Sequence, residues 1–405
     1  MGVNNMEFAQ CAAILKSIAD QATGTATLTA TSTADFISIA NTALQGGLDP
    51  VMNAITQVLA RTIMSIRPYT AKLRGMEFSE REFGAVTRKL SMGDDDPSDN
   101  QALKWPVAYD AGQTPPSGDG QSVDQWIIKK PKILQTNFYG FDTWQDYLTI
   151  TQEQLYVAFR GPDELAEFVG MLMTGYENKH EQYLEAFKRM CLANFAAALI
   201  DENNSDRIVH LISEYNTLTG ITPALDSQTV YQPANFKPFM QFVYSRIAQI
   251  TSLMTERSSL YQTAITGYNV NRHTPYEDQR VYLYAPARYQ AEMMAIADIY
   301  HDNYLKLADT ETLNFWQAID TPDTINMTPT YVDTSGAVTV AGSAVSQSGV
   351  FGVIADREAF GVCELRKDVM QTPMNARGHY SNIWWSSILR AFNDNTEKGV
   401  VLLLD

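Results

Sequence analysis

A single uninterrupted helical pattern between residues 162 and 201 constrains this chain more than any other feature. It begins at Gly161-Pro162-Asp163-Glu164, where proline in the first turn costs no hydrogen bond and two acids face the positive end of the helix dipole. Apolar residues then recur three and four positions apart as far as Leu199 without an intervening proline. About 38 residues at about 1.5 Å each predict a rod of about 57 Å. A helix this long usually spans a whole domain.

Composition supports a folded protein with more than one lobe. The chain has 405 residues, of which 45% are hydrophobic and 19% charged, so it can bury a large core. The formal net charge is −16. Such an acidic surface repels phosphate backbones and disfavours sequence-specific binding of nucleic acid.

The lack of a targeting signal and the spacing of the cysteines disfavour secreted, membrane-spanning and disulfide-rich proteins. Residues 1–20 lack a basic segment followed by an apolar core, and no window reaches about 18 apolar residues, so we expect no secretion and no membrane span. Cys11, Cys191 and Cys363 are widely spaced, which disfavours a disulfide framework or a zinc ribbon. Reduced thiols in a protein made in a cytoplasm are the prediction.

Before the long helix, the pattern changes twice. Short amphipathic stretches around residues 8–18, 36–44 and 51–63 predict an N-terminal arm of short helices. Strand-like runs follow at residues 70–74, 83–90, 126–138 and 141–150, interrupted by a segment rich in Asp, Pro and Gly between Gly93 and Gly120. These runs predict a long two-stranded arm with an acidic tip.

After the long helix, helical and extended segments alternate. Residues 208–212 and 280–285 are strand-like, and residues 236–255 and 288–307 are helical in pattern, which indicates a mixed sheet flanked by helices. Residues 331–347 resemble a weak hairpin or an insertion loop. The apolar end, residues 400–404, must pair inside a sheet, because an exposed edge of this kind aggregates.

Motifs that would reveal an enzyme are missing from the sequence. It contains no P-loop, GxSxG, HExxH or GxGxxG. Glu177 and His180 have the spacing of a di-iron bundle ligand pair, but the second copy that such a site needs is missing. The aspartates at 94, 95, 96 and 99 lack the spacing of a calcium loop and indicate a solvated turn. We therefore predict no catalytic residues, no cofactor and no metal.

Two groups of residues remain as candidates for contacts between subunits. The clustered aromatic residues, including Trp105 and Trp126, are explained either by core packing or by anchoring at a protein interface, where Trp and Tyr are enriched. The acids of the arm tip and the lysines of its returning strand could pair across copies. The full candidate set is Asp94, Asp95, Asp96, Trp105, Trp126, Lys129, Lys130 and Lys132.

The order of these parts resembles the major capsid protein of tailed bacteriophages, with the Hong Kong 97-type α+β fold. Two segments carry further likeness. Residues 349–362 look like the capsid pattern in which an apolar strand ends in Asp-Arg and then re-enters a strand. Residues 373–385, which read Pro-Met-Asn-Ala-Arg-Gly-His-Tyr-Ser-Asn-Ile-Trp-Trp, are similar to the closing segment in capsid proteins of small short-tailed phages.

The resemblance implies a division of the chain and a set of partners. The parts are an N-terminal arm at 1–68, an E-loop with flanking strands at 69–150, a P-domain with the spine helix at 151–207, an A-domain at 208–349, and a return to the P-domain at 350–405. The implied function is self-assembly, as hexamers and pentamers, into an icosahedral shell around double-stranded DNA. A separate scaffolding protein, a portal protein, DNA held only by non-specific proximity, and assembly in the host bacterial cytoplasm are also implied.

Two other classes stay open at this point. A phage tail or neck structural protein shares the composition, and an α/β enzyme would need a concave pocket with perturbed carboxylates or histidines. A long arm together with one uninterrupted spine helix favours the shell.

Overall fold

A computed structural model describes most of the chain, and every structural statement below concerns those residues. They are 8–23, 30–45, 51, 72–78, 86–93, 126, 128, 130, 132–139, 141–286, 309–332, 338–340 and 342–405. The expected helices at 51–63 and 288–307 lie outside them, apart from Val51.

The helices and strands are numbered here in chain order. The helices are α1 Phe8–Thr23, α2 Thr33–Gln45, α3 Gln152–Ala158, α4 Pro162–Glu202, α5 Leu211–Thr219 and α6 Pro233–Met254. The strands are β1 Val86–Met92, β2 Ile133–Tyr139, β3 Asp142–Thr151, β4 Ile208–His210, β5 Gln279–Tyr284, β6 Asp309–Leu313, β7 Ile325–Met327, β8 Thr330–Val332, β9 Val338–Val340, β10 Val345–Gln347, β11 Val350–Asp356, β12 Phe360–Gln371, β13 Tyr380–Asn393 and β14 Gly399–Leu403.

The long helix predicted from the sequence is present as α4, with 41 residues from Pro162 to Glu202. Just before it, α3 begins with a capping box in which Thr151 and Gln154 exchange side-chain and backbone hydrogen bonds. The α+β class follows from these helices and the sheets below.

The chain divides into two compact units. Unit 1 consists of residues 1–85, 139–193 and 360–393, and unit 2 of residues 86–138, 194–359 and 394–405.

Unit 1 packs helices against one face of an antiparallel three-stranded sheet in the order β12-β13-β3. Leu172 and Tyr176 of α4 share a buried cluster with Leu15 of α1 and Phe36 of α2. From the sheet, Trp385 stacks on Tyr176 with ring centroids 4.7 Å apart. Alternate residues of β13 are buried, as expected for a sheet with one covered face.

Unit 2 is built on a mixed five-stranded sheet in the order β4-β14-β11-β5-β6. The outer pairs, β14 with β4 and β5 with β6, are parallel, and the inner pairs are antiparallel. Helix α6 covers it with buried residues at helical spacing, including Phe236, Met240, Val243 and Ile247. The prediction that the apolar C-terminal strand pairs inside a sheet is confirmed, since β14 lies buried between two partners.

A buried arginine holds the connection between β13 and β14. The Arg207 guanidinium is fully buried and donates to the carbonyls of Asn395 (2.7 Å), Glu397 (2.9 Å) and Gly399 (3.1 Å) and to the carboxylate of Glu202 (3.0 Å). Burial lowers the pKa of Arg207 to about 10, although the charge of Glu202 opposes this shift. The side chain therefore stays charged at neutral pH and supplies hydrogen-bond donors to buried carbonyls of this connection.

Some local expectations were met and others were wrong. In the segment at 331–347, β8 and β9 pair as an antiparallel hairpin, whereas β10 pairs with β7, which lies before the segment. The strand expected at 208–212 stops at His210, because Leu211, Ile212 and Tyr215 bury one face of a helix that starts there. Arg74, expected at the end of a strand, begins a short 3-10 turn.

Replacing Leu172 by Ala should lower the free energy of unfolding by about 2 to 5 kcal/mol, because the side chain is buried and leaves a cavity. Met190 on the same helix is half exposed, and Met190→Ala is the matched control. Urea unfolding followed by circular dichroism measures both. Parent-like stability of Leu172→Ala would show that this face of the helix does not carry the core.

Replacing Arg207 by Met should lower the free energy of unfolding by about 3 to 5 kcal/mol, because it leaves the Glu202 carboxylate and three buried carbonyls without their donor. Arg377, on an exposed turn, provides the control Arg377→Met. The same unfolding measurement applies, and equal loss in both variants would contradict the role of Arg207.

Candidate assembly surfaces

The root of the predicted arm is a two-stranded pairing of β1 with β2. The pairing extends past the end of β1, because the Gly93 amide donates to the carbonyl of Lys132 at 2.8 Å. Extended runs in the sequence predicted both strands.

One face of this two-stranded pairing carries three large apolar side chains that are open to solvent, together with the exposed Arg88. Leu90 is 62% exposed and Met92 66%, and Ile133 on the partner strand is 58% exposed. Side chains alternate along a strand, so Lys89 and Ser91 lie on the opposite, half-buried face. We call Leu90, Met92 and Ile133 the arm face. An apolar row on a two-stranded edge is a liability in a free protein unless another chain covers it.

The predicted contact residues lie partly in this region. Trp126 is 80% exposed and Ile128 83% exposed, and Lys130 and Lys132 are exposed beside them. The other candidates, Asp94, Asp95, Asp96, Trp105 and Lys129, lie outside the residues that the structure describes.

A second apolar surface crosses the three-stranded sheet of unit 1. Trp384 of β13 pairs in register with Tyr147 of β3 on one side and Met370 of β12 on the other. The rings of Tyr147 and Trp384 stack at 4.6 Å, and Tyr147 and Met370 are each more than half exposed. Such cross-strand aromatic pairs stabilise a sheet and also suit an interface.

An open groove of 430 Å³ lies between α5 and α6 in unit 2. Leu218 and Phe242 form its apolar part. Arg246 spans its polar part, donating to both carboxylate oxygens of Glu214 at 2.8 and 3.2 Å. Because Arg246 and Glu214 neutralise each other, they do not provide a reactive group in the groove.

His180, which the sequence suggested as half of a metal-binding pair, packs between an aromatic ring and a carboxylate. It is buried edge-on against Trp144, and its Nε2 lies 3.1 Å from Glu364 Oε1. Burial alone would raise the pKa of Glu364, but the neighbouring His180 and a hydrogen bond from Ser387 lower it overall. Across the described part of the chain, no three His, Cys, Asp or Glu side chains come together as metal ligands.

No described helix combines the length and apolarity needed to cross a bilayer.

Sequence reasoning missed the arm face and, although it singled out Tyr147 and Trp384 among the clustered aromatic residues, it did not show that they pair. The period-2 pattern of β1 would place Leu90 and Met92 inward and Lys89 and Ser91 outward, the reverse of what the structure shows. The pairing of Tyr147 with Trp384 joins residues more than 200 positions apart, so only the sheet register could reveal it.

Comparison with known proteins identifies the kind of molecule that carries these surfaces. The pattern of the Phi29-like phage major capsid protein family matches residues 13–387. No curated protein sequence matches the chain.

Solved structures extend the comparison to the fold. The capsid structure of Staphylococcus phage Andhra is similar over 85% of this chain and 87% of its own, with a TM-score of 0.55 and 9% identity. A structure of bacteriophage P68, described as head fibre and inner core protein, covers 85% and 87% with 10% identity and a TM-score of 0.49. The Andhra likeness is one of fold, and it agrees with the Hong Kong 97-type architecture predicted from the order of the parts.

The family match covers more than nine-tenths of the chain, which decides between the three classes left open by the sequence. A shell protein acts by contact between its copies. The chain belongs to the Phi29-like phage major capsid protein family and is a non-enzymatic structural protein of the virion shell, which is assembled from many copies of it.

Proposed function

We propose that copies of this protein meet in hexamers and pentamers through the β1–β2 arm, which acts as the E-loop. The observation that carries the proposal is the arm face, three large apolar side chains that are each more than half exposed. Burying each of them against a neighbour would contribute about 1.5 to 3 kcal/mol. A contact of this size, repeated around a closed ring, suits a shell that must form reversibly before it closes.

The charged and aromatic candidates would act at the same contact. Lys129, Lys130 and Lys132 would meet acids of the next copy, and Trp105 and Trp126 would anchor the apolar part. Asp94, Asp95 and Asp96 would form a solvated tip that reaches over the neighbour. Supporting this, Trp126, Lys130 and Lys132 all lie exposed at the end of the arm root.

The division of the chain that fits this proposal has five parts. They are an N-terminal arm (1–68), an E-loop with its flanking strands (69–150), a P-domain with the spine helix (151–207), an A-domain (208–349) and a return to the P-domain (350–405). The helices α1 and α2 packed on the N-terminal half of α4 support an arm at the front of the chain.

The proposed partners follow from the shell. A separate scaffolding protein would direct the curvature of the shell. A portal protein would occupy one vertex. Packaged DNA would stay close but unbound, because a net charge of −16 repels it. Assembly would take place in the cytoplasm of the host bacterium.

Replacing residues 94–120 by a short Gly-Ser turn should leave a folded, soluble subunit but abolish closed shells. This segment is rich in proline, glycine and aspartate, a composition typical of turns rather than of a packed core. Circular dichroism checks the helix content, and electron microscopy checks the particles under conditions where the parent assembles. Normal shells from this variant would refute the assignment of the arm.

The double variant Leu90→Ser, Ile133→Ser should also lose shells while the subunit keeps its melting temperature, because both side chains are exposed in the subunit. Ile319 is 75% exposed elsewhere in unit 2, and Ile319→Ser is the control for a general loss of surface hydrophobicity. Light scattering during assembly compares the three proteins. Equal assembly by the double variant and the control would mean that the arm face is not a contact.

A further inference from the structure

The inward side of β1 is attached to the body of unit 2 by a compact group of charges. We call Lys89, Arg272, Asp394 and Glu397 the root cluster. Lys89 Nζ lies 2.9 Å from Asp394 Oδ2, contacts Glu397 Oε1, and donates to the carbonyl of Glu358 at 3.3 Å. These three partners use all three protons of the ammonium group.

Arg272 binds a second residue of β1, Ser91. Its guanidinium contacts Glu397, donates to Thr396 Oγ1 at 3.0 Å, and reaches Ser91 Oγ at 3.4 Å. Lys89 and Ser91 are successive inward residues of β1, so the strand is held at both.

The acids of the root cluster are buried, which makes their pairing consequential. The side chains of Asp394 and Glu397 are 1% and 6% exposed. Burial alone would raise the pKa of Asp394, but the charge of Lys89, a hydrogen bond from Thr396 and the charge of Arg272 lower it overall. A buried carboxylate that lost its cation would be costly, because little water is present to replace it.

This arrangement permits only one register of the strand. If β1 slipped by one residue, every side chain would move to the other face, and Leu90 or Arg88 would take the place of Lys89. Leucine would remove the ammonium group that both buried carboxylates share and leave Arg272 as the remaining cation of the root cluster. Arginine at that place would require a planar fork where the site is built around a compact ammonium.

We propose that the root cluster is a latch that fixes the register of β1 and thereby keeps Leu90 and Met92 pointing outward for the neighbouring subunit. Sequence pattern alone would turn these two residues inward. The cluster overrides that preference because the two buried acids accept a lysine and not a leucine. The consequence for assembly rests on the proposed role of the arm face, whereas the latch itself is a property of the single subunit.

The test compares adjacent cations on opposite faces of one strand in the unassembled, full-length subunit. Lys89→Met removes the latch, and Arg88→Met removes an equal charge from the exposed face. Hydrogen exchange of the peptide covering residues 86–93 should become at least about tenfold faster in Lys89→Met and stay at the parent rate in Arg88→Met. Asp394→Asn keeps the side-chain shape, should give the same release, and serves if Lys89→Met does not fold.

A second measurement reports the direction of the side chains. In the parent background, a thiol introduced by Leu90→Cys should react with a maleimide faster than one introduced by Ser91→Cys. Adding Lys89→Met should remove that difference, because both faces then become accessible.

The outcomes separate the latch from the proposed function. Parent-like exchange and an unchanged thiol preference in both Lys89→Met and Asp394→Asn would overturn the latch, whatever happens to assembly. Faster exchange together with a lost thiol preference and failed shells supports it in full. Faster exchange with normal shells would keep the latch but refute the arm face as the subunit contact.

Discussion

Burial of one very long helix is the constraint on which the rest of this structure depends. Along its first half, α4 buries single residues such as Phe168, Leu172 and Tyr176 at helical spacing. Towards its end the pattern changes, and nearly every residue from Cys191 to Leu199 is buried, including three successive alanines. Neighbouring segments approach this end of the helix closely. Gly399 of β14 lies so near that an added Cβ would be 2.5 Å from the ring of Phe195 on the helix. No single sheet face could cover such a helix, so distant parts of the chain must gather around it.

Polar and apolar residues exchange their usual places in the arm and its surroundings. Lys89, Arg207, Asp394 and Glu397 are buried or nearly so, while large apolar side chains of β1 and β2 face solvent. Buried ion pairs add little net stability compared with an apolar core, but removing one partner is costly. Their effect is therefore to exclude alternative registers, which an apolar strand with no charged residue would tolerate.

The sequence was sufficient for elements whose periodicity is set by local physics. The start of α4 at Pro162, the strands of the arm and the docking of β14 follow from capping, alternation and the cost of an exposed edge. Where tertiary contacts override local preference, sequence reasoning failed. Leu211 begins a helix because its face is covered, although residues 208–212 read as one strand. The arm face was missed for a related reason, since two carboxylates more than 300 residues away decide which side of β1 is inward.

A subunit that displays apolar strands must still remain dispersed until it assembles, and the structure separates these requirements by geometry. Cations such as Arg88 and Lys132 lie beside the arm face and interrupt its apolar surface. Excess negative charge over the whole chain adds repulsion between free copies. On the proposed contact, one arm face alone would hold two copies only weakly, whereas a subunit in a closed shell would make several such contacts at once. Stability of the fold resides in the cores around α4 and α6, and stability of the shell in the number of copies, so a surface substitution can abolish one while leaving the other unchanged.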